Sequence, residues 1–249
     1  SFEERFGLLV DVEWTTRKNN RLKRLMKSAD YAFPGACVED IEYHADRQID
    51  KAMIQRIATC NYVGEHHNLI ILGATGSGKT YLSNAFGATA SRNFYTVRYI
   101  RLPDLLGELA IARAEGSYRK IMKPYKQVQL LILDELLFPL KESEARDLLE
   151  IVEARYKKAS TIFCSQFDVG GWHAKLGDPV LADAICDRIV HHSYTIVIGG
   201  ADSMRKRKGI TEEGNQEACG LTGALPRTPR FIAFVFRERC SLWREKSDA

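Results

Sequence analysis

Residues 73–80 read Gly-Ala-Thr-Gly-Ser-Gly-Lys-Thr, a G-x-x-x-x-G-K-[ST] stretch that follows directly on the apolar run Asn68-Leu69-Ile70-Ile71-Leu72. A short β-branched run stopped by glycine predicts a buried parallel strand, and Tyr81 to Ala90 predicts the helix after it. Strand, glycine loop and helix are the context that a phosphate-binding loop needs. Gly73, Gly76 and Gly78, with Ala74, Thr75 and Ser77 between them, let the backbone turn its N–H groups toward a β-phosphate, and the positive end of the helix adds to the attraction. Lys79 is placed to reach the β- and γ-phosphates, Thr80 to ligate Mg²⁺, and Tyr81 to stand beside the nucleotide. Ordinary residue frequencies produce a match to this pattern by accident in roughly one chain in a hundred. The chain is therefore expected to bind a nucleotide.

A second element completes the expectation. Val128-Gln129-Leu130-Leu131-Ile132-Leu133-Asp134-Glu135 is an apolar strand that ends in two carboxylates. Asp134 is placed to hold Mg²⁺ through water, and Glu135 to orient or deprotonate an attacking water. An acidic pair at a strand end is also a common turn signal, but here it lies one strand and one helical insertion beyond an intact phosphate loop. The adjacent glutamate points to an ATP-hydrolysing machine with an additional central strand, rather than a small-molecule kinase or a Ras-like GTPase. Neither a guanine-reading N-K-x-D nor a transporter L-S-G-G-Q occurs. The next strand, Ser160 to Cys164, leads to Ser165 and Gln166, either of which is a candidate polar sensor of the γ-phosphate. Arg188 sits in the largely apolar stretch Asp183–Val190. It either pairs locally with Asp183 or Asp187, or projects on to a neighbouring subunit's γ-phosphate.

The chain's 249 residues suffice for one main core. With 45% hydrophobic and 27% charged residues it has the composition of a soluble globular protein, and no apolar stretch approaches a membrane span. No signal peptide is read, although the chain opens on Ser1 rather than methionine. The six cysteines show no C-x-x-C pair or metal spacing, which favours a reducing cytoplasm. A net charge of +4 names no partner, but basic residues gather at Arg17–Lys27, Arg113–Lys126 and Arg205–Lys208. Such clusters suit contact with a phosphate backbone, or are simply solvated faces.

Apolar spacing predicts helices in residues 1 to about 62: Phe2, Phe6, Leu9, Val10 and Trp14 recur at helical period through Leu22, Leu25 and Met26, and a second helix is expected over Asp46–Thr59. Tyr95–Ile100 reads as a strand, Pro103 opens a helix, and Glu142–Lys157 reads as another. Strands alternating with helices imply a doubly wound parallel sheet flanked by helices, with ligand at the strands' carboxyl ends. The expected organisation is a helical preface over 1–62, an ATPase domain over 63–210, and a tail over 211–249.

From Ser1 to about Ile210 the chain resembles the IstB-like ATP-binding proteins, AAA+ helpers encoded beside transposases and related to the DnaC and DnaI helicase loaders. The residues that carry the resemblance are Ser1–Trp14, Ala58–Cys60, Gly73–Thr80, Glu108–Tyr118, Leu130–Glu135, Gly177–Arg188 and Ser203–Lys206. Many relatives carry Asp-Asp where this chain has Asp134-Glu135. The resemblance implies a P-loop NTPase of AAA+ fold that uses ATP and Mg²⁺, oligomerises on duplex DNA, and recruits or stimulates a cognate transposase. It further implies that the insertion Leu102–Lys126 approaches DNA, with Arg113, Arg119, Lys120 and Lys123 as candidate contacts. Arg188 would act as a finger in the neighbouring site, and Arg205 as a second nucleotide-sensing arginine. Two other readings stand beside this one: a helicase loader that prefers single strands, and a small-molecule phosphotransferase. The agreement over residues 1–14 argues against the first, and the Asp134-Glu135 pair with Arg188 against the second.

Overall fold

Five short runs of Val, Ile and Leu form one sheet in which every pairing is parallel. The computed structural model describes residues 1–136, 139–176, 178–200 and 204, with only the backbone described at 169 and 173–175. The strands are β1 (Asn68–Gly73), β2 (Val97–Arg101), β3 (Leu130–Leu136), β4 (Ser160–Ser165) and β5 (Ser193–Ile198), in the order β2-β3-β4-β1-β5. β4 is inserted between β1 and β3, so the phosphate-loop strand and the acidic strand flank an additional strand.

Because successive side chains on a strand point to opposite faces, each strand feeds two cores. Leu69, Ile71, Leu130, Ile132, Ile162 and Cys164 belong to one, while Ile70, Leu131, Leu133 and Phe163 belong to the other. The first core is covered by α1 (Phe2–Ala29), α2 (Lys51–Ala58), α3 (Asn61–Gly64) and α4 (Lys79–Arg92). The second is covered by α5 (Leu102–Ala114), α6 (Tyr118–Gln127), α7 (Glu142–Arg155), α8 (Val169–Leu176) and α9 (Pro179–Val190). The expected parallel α/β architecture is the observed one.

Local chemistry sets the element ends. Ser1 and Glu4 form a reciprocal capping box on α1, and Asp178 caps α9 by accepting from the N–H groups of Val180 and Leu181 at 2.8 and 3.1 Å. Pro103 lies in the first turn of α5, as expected. The helix expected over Asp46–Thr59 is divided: a 3₁₀ turn at Ala45–Arg47 precedes α2, because the Asp50 side chain accepts from Ala52 N at 2.8 Å and starts a new helix there. Only the second half of α1 packs on the body, through Met26 and Ala29; Phe2, Phe6, Leu9, Val10 and Trp14 are exposed, so the period that predicts the helix does not mark a buried face. β3 carries Asp134 and Glu135 near its carboxyl end, as expected, and begins at Leu130 rather than Val128. No helix among the described residues is long and apolar enough to cross a membrane.

The far ends of the strands are tied by Arg155, whose guanidinium is 2% exposed. It donates to the carbonyls of Tyr125, Val128 and Ser160 and to Thr161 Oγ1, at 2.5 to 2.9 Å. One buried cation thus fixes where α6 ends and where β4 begins, with every bond made to a neutral acceptor.

Candidate nucleotide site

The phosphate loop is shaped by contacts that only glycine permits. A Cβ on Gly73 would lie 2.7 Å from Ser77 Oγ and 2.9 Å from the Ile198 carbonyl, closing the loop against β5. Gly78 has φ 94° and serves as the N-cap of α4, so the helix begins at Lys79. Lys79 Nζ donates to the carbonyls of Gly73 and Ala74, both at 2.8 Å, and the ammonium lies folded along its own loop. Burial lowers its pKa, while the nearby negative groups, Asp134 and Glu135 among them, oppose the shift. Such a lysine gains when anionic phosphates replace carbonyl dipoles as its partners.

Thr80 Oγ1 donates to Asp134 Oδ2 at 2.7 Å, which joins the loop to the acidic strand. Asp134 is 2% exposed, as a carboxylate is only when it is well supplied with donors. A hydroxyl beside one carboxylate suits Mg²⁺, which takes its remaining ligands from water and substrate phosphates. Among the described residues no group of three His, Cys, Asp or Glu side chains is arranged to hold a metal ion.

Glu135 differs from its neighbour in backbone as well as in partners. Its φ is 55°, and the register between β3 and β4 shifts between Leu133 and Leu136. A bulge here re-aims the side chain. A left-handed non-glycine residue costs about 1–3 kcal/mol and is held by its surroundings, here at the site where chemistry is expected. Arg101, at the end of β2, donates to Glu135 Oε2 at 2.6 Å.

The cleft over these groups has a volume of about 560 Å³. One wall is the preface: Ile41, Arg47 and Ile49 face Gly76, Gly78 and Lys79, with Met204 also at the rim. Arg47 is 7% exposed and donates to the Ser77 carbonyl at 2.5 Å, pinning the outside of the loop. The preface also grips α4: Phe33 N donates to Asn84 Oδ1 at 3.3 Å, and the Phe33 and Tyr81 rings lie 6.1 Å apart.

The other expected site residues fall in distinct places. Ser165 is 1% exposed and its hydroxyl closes on the Phe167 backbone, donating to the carbonyl at 3.0 Å and accepting from the N–H at 3.1 Å. Gln166 is exposed. Arg188 reaches Glu153 on α7 at 2.9 Å and the Ala184 carbonyl at 2.8 Å. Arg113 is paired with Asp147 on α7, which also accepts from Tyr118 at 2.7 Å, so this arginine clamps the insertion to the body. Arg119, Lys120 and Lys123 are exposed together on α6. Arg205, the run 205–208 and the tail 211–249 lie outside the described residues. Sequence reasoning missed Tyr99, Arg101 and Arg47. The first two could have been found from strand period, which places both on the face and at the strand end where ligand was expected.

Comparison with known proteins agrees with this geometry. The insertion sequence ATP-binding protein y4pL of Sinorhizobium fredii is 39% identical over 209 residues, covering 84% of each chain. The insertion sequence IS1162 ATP-binding protein of Pseudomonas fluorescens is 40% identical over 167 residues, 67% of this chain and 72% of the relative. In fold the chain is similar to the crystal structure of the DnaC helicase loader, with a TM-score of 0.54 and 21% identity over 66% of this chain and 96% of that one. AMPPCP-bound DnaA from Aquifex aeolicus gives a TM-score of 0.58 with 20% identity, over 76% of this chain and 60% of that one. The IstB-like ATP binding proteins match residues 1–211 as a family. The phosphate loop, the acidic strand beside it and this match along the described body place the chain in the IstB-like ATP-binding family, as an ATPase of AAA+ fold.

Proposed function

We propose that the chain is a transposition helper that assembles as an ATP-dependent oligomer on duplex DNA and recruits or stimulates a transposase. The observation that carries this reading is the likeness, over 84% of the chain, to a protein of an insertion sequence. The exposed basic face of α6, on the insertion that follows β2, supports the DNA partner, because clustered Lys and Arg neutralise phosphates without regard to sequence.

In this reading Lys79 leaves its loop carbonyls for the β- and γ-phosphates, while Thr80 and Asp134 hold Mg²⁺. The metal ion, when bound, neutralises charge on the phosphates. Glu135 orients the attacking water and accepts its proton. Arg188 leaves Glu153 and reaches the γ-phosphate of an adjoining protomer, which makes turnover depend on assembly.

The test is assembly on long duplex against single-stranded DNA, followed by sedimentation and electron microscopy, with ATP and with the Lys79→Ala variant. Duplex-bound oligomers formed only by the wild type with ATP are expected. A preference for single strands would favour a helicase loader instead, and no assembly on either would remove the DNA partner.

A further inference from the structure

We infer that Tyr99, in β2, is a positioning residue for the metal site: its hydroxyl fixes the Asp134 carboxylate in the orientation that Mg²⁺ binding requires. The inference rests on the reading of Asp134 as the residue that holds Mg²⁺.

Tyr99 is 8% exposed and pairs with Ile132 across the sheet, so its side chain lies on the α4 face together with Asp134. Its hydroxyl donates to Asp134 Oδ2 at 3.0 Å. That oxygen already accepts from Thr80 at 2.7 Å, while Oδ1 accepts from Glu135 N at 2.9 Å. With donors on both oxygens the carboxylate cannot turn about its terminal bond without breaking one of them.

The donors differ in what happens when a metal ion binds. Thr80, in the first turn of α4, is itself assigned to Mg²⁺ and gives up this bond when it ligates the ion, and the Glu135 N–H sits in the bulge of β3. Tyr99 belongs to a strand whose register with β3 is regular from Val97 to Arg101. It is the donor that neither ligates the ion nor lies in the bulge, and so the one free to keep its bond when Mg²⁺ binds. Partners that orient a metal-holding carboxylate commonly change metal affinity about 10- to 100-fold when removed.

The experiment is a Mg²⁺ titration of the full chain with bound N-methylanthraniloyl-ATP, read by fluorescence, beginning in EDTA. Tyr99→Phe retains the ring and removes the hydroxyl. Its nucleotide affinity in EDTA should match the wild type within about twofold, while its half-saturating Mg²⁺ concentration rises about 10-fold. In an Asp134→Asn background the same substitution should change nothing further, since the hydroxyl then has no carboxylate to orient. An unchanged Mg²⁺ response in Tyr99→Phe would overturn the inference, as would loss of nucleotide binding in EDTA or loss of the fold, either of which assigns the hydroxyl to packing. If the wild type itself shows no Mg²⁺ response, the reading of Asp134 falls first.

Discussion

Arg101 holds Glu135: the guanidinium donates to the carboxylate at 2.6 Å, and the same arginine lies 3.6 Å from Asp104 in the first turn of α5. The strand that leads into the basic insertion therefore ends on the residue expected to orient water. While Arg101 holds it, the carboxylate must break that ion pair before it can turn to a water. Arg101→Ala should raise ATP hydrolysis in the absence of DNA. Because both side chains are more than 40% exposed, the pair is worth about 1 kcal/mol or less, which limits the rise to about fivefold. Steady-state turnover without DNA checks this, and a fall would mean that Arg101 serves the chemistry directly.

Glu135 and Lys79 should separate binding from turnover. Glu135→Gln keeps the bulge and its size but removes the base, so ATP affinity should hold while hydrolysis falls about 10²- to 10⁴-fold. Lys79→Ala should instead weaken nucleotide binding itself. Equilibrium binding and single-turnover assays on both variants distinguish the roles; full activity in Glu135→Gln would move the base elsewhere.

Arg188 offers a test of assembly. It rests on Glu153, so a role in a neighbouring site requires that pair to open. Arg188→Ala should retain ATP binding and lose DNA-stimulated hydrolysis, whereas Glu153→Ala should retain both. Mixing Arg188→Ala with Glu135→Gln should restore part of the activity, since each protomer type supplies what the other lacks. Failure of the mixture would place the action of Arg188 within its own chain.

The parts of the site carried by contiguous residues were legible in the sequence. The loop from Gly73 to Thr80 and the strand ending at Asp134 and Glu135 announce themselves because glycine spacing and an apolar run are local properties. Tyr99 and Arg101 were hidden by context: a tyrosine and an arginine at the end of an alternating strand look like ordinary surface pattern until β3 is known to lie beside β2. Residues 30–45 have no period to read, yet they supply Ile41 to the cleft, beside Arg47 and Ile49 from the start of the expected second helix. β5 was missed because Ser193 and Tyr194 are only partly buried and Thr195 and Val197 are exposed, as on an edge strand. For Arg188 the sequence offered a partner in its own helix or a neighbouring subunit's γ-phosphate, and its partner Glu153 comes from α7, which local sequence does not specify.

The buried phenols predict how the fold responds to alkali. Burial holds the pKa of Tyr31, Tyr62 and Tyr99 well above the usual value near 10. Above about pH 10 the unfolded chain releases protons that the folded chain keeps, so their contribution to stability is complete below that pH and declines as pH rises further. Ultraviolet titration should show part of the tyrosinate signal appearing only as helical circular dichroism is lost. Complete ionisation of all ten tyrosines with the fold intact would contradict the burial.

Salt dependence should divide the basic residues of the insertion into two groups. Arg119, Lys120 and Lys123 are exposed on one helix, whereas Arg113 is held by Asp147, whose side chain is 3% exposed. If the three exposed residues each neutralise a phosphate, replacing all of them with alanine should reduce the slope of log affinity against log salt by up to about 3, at roughly 0.9 per phosphate. Arg113→Ala should leave that slope unchanged. It strands a buried carboxylate and should cost about 1–3 kcal/mol of stability, lowering the urea midpoint instead. Binding isotherms on duplex DNA across a salt series, set beside urea melts of the same variants, decide the matter. A slope change in Arg113→Ala with an unaltered melt would show that this arginine leaves Asp147 for DNA.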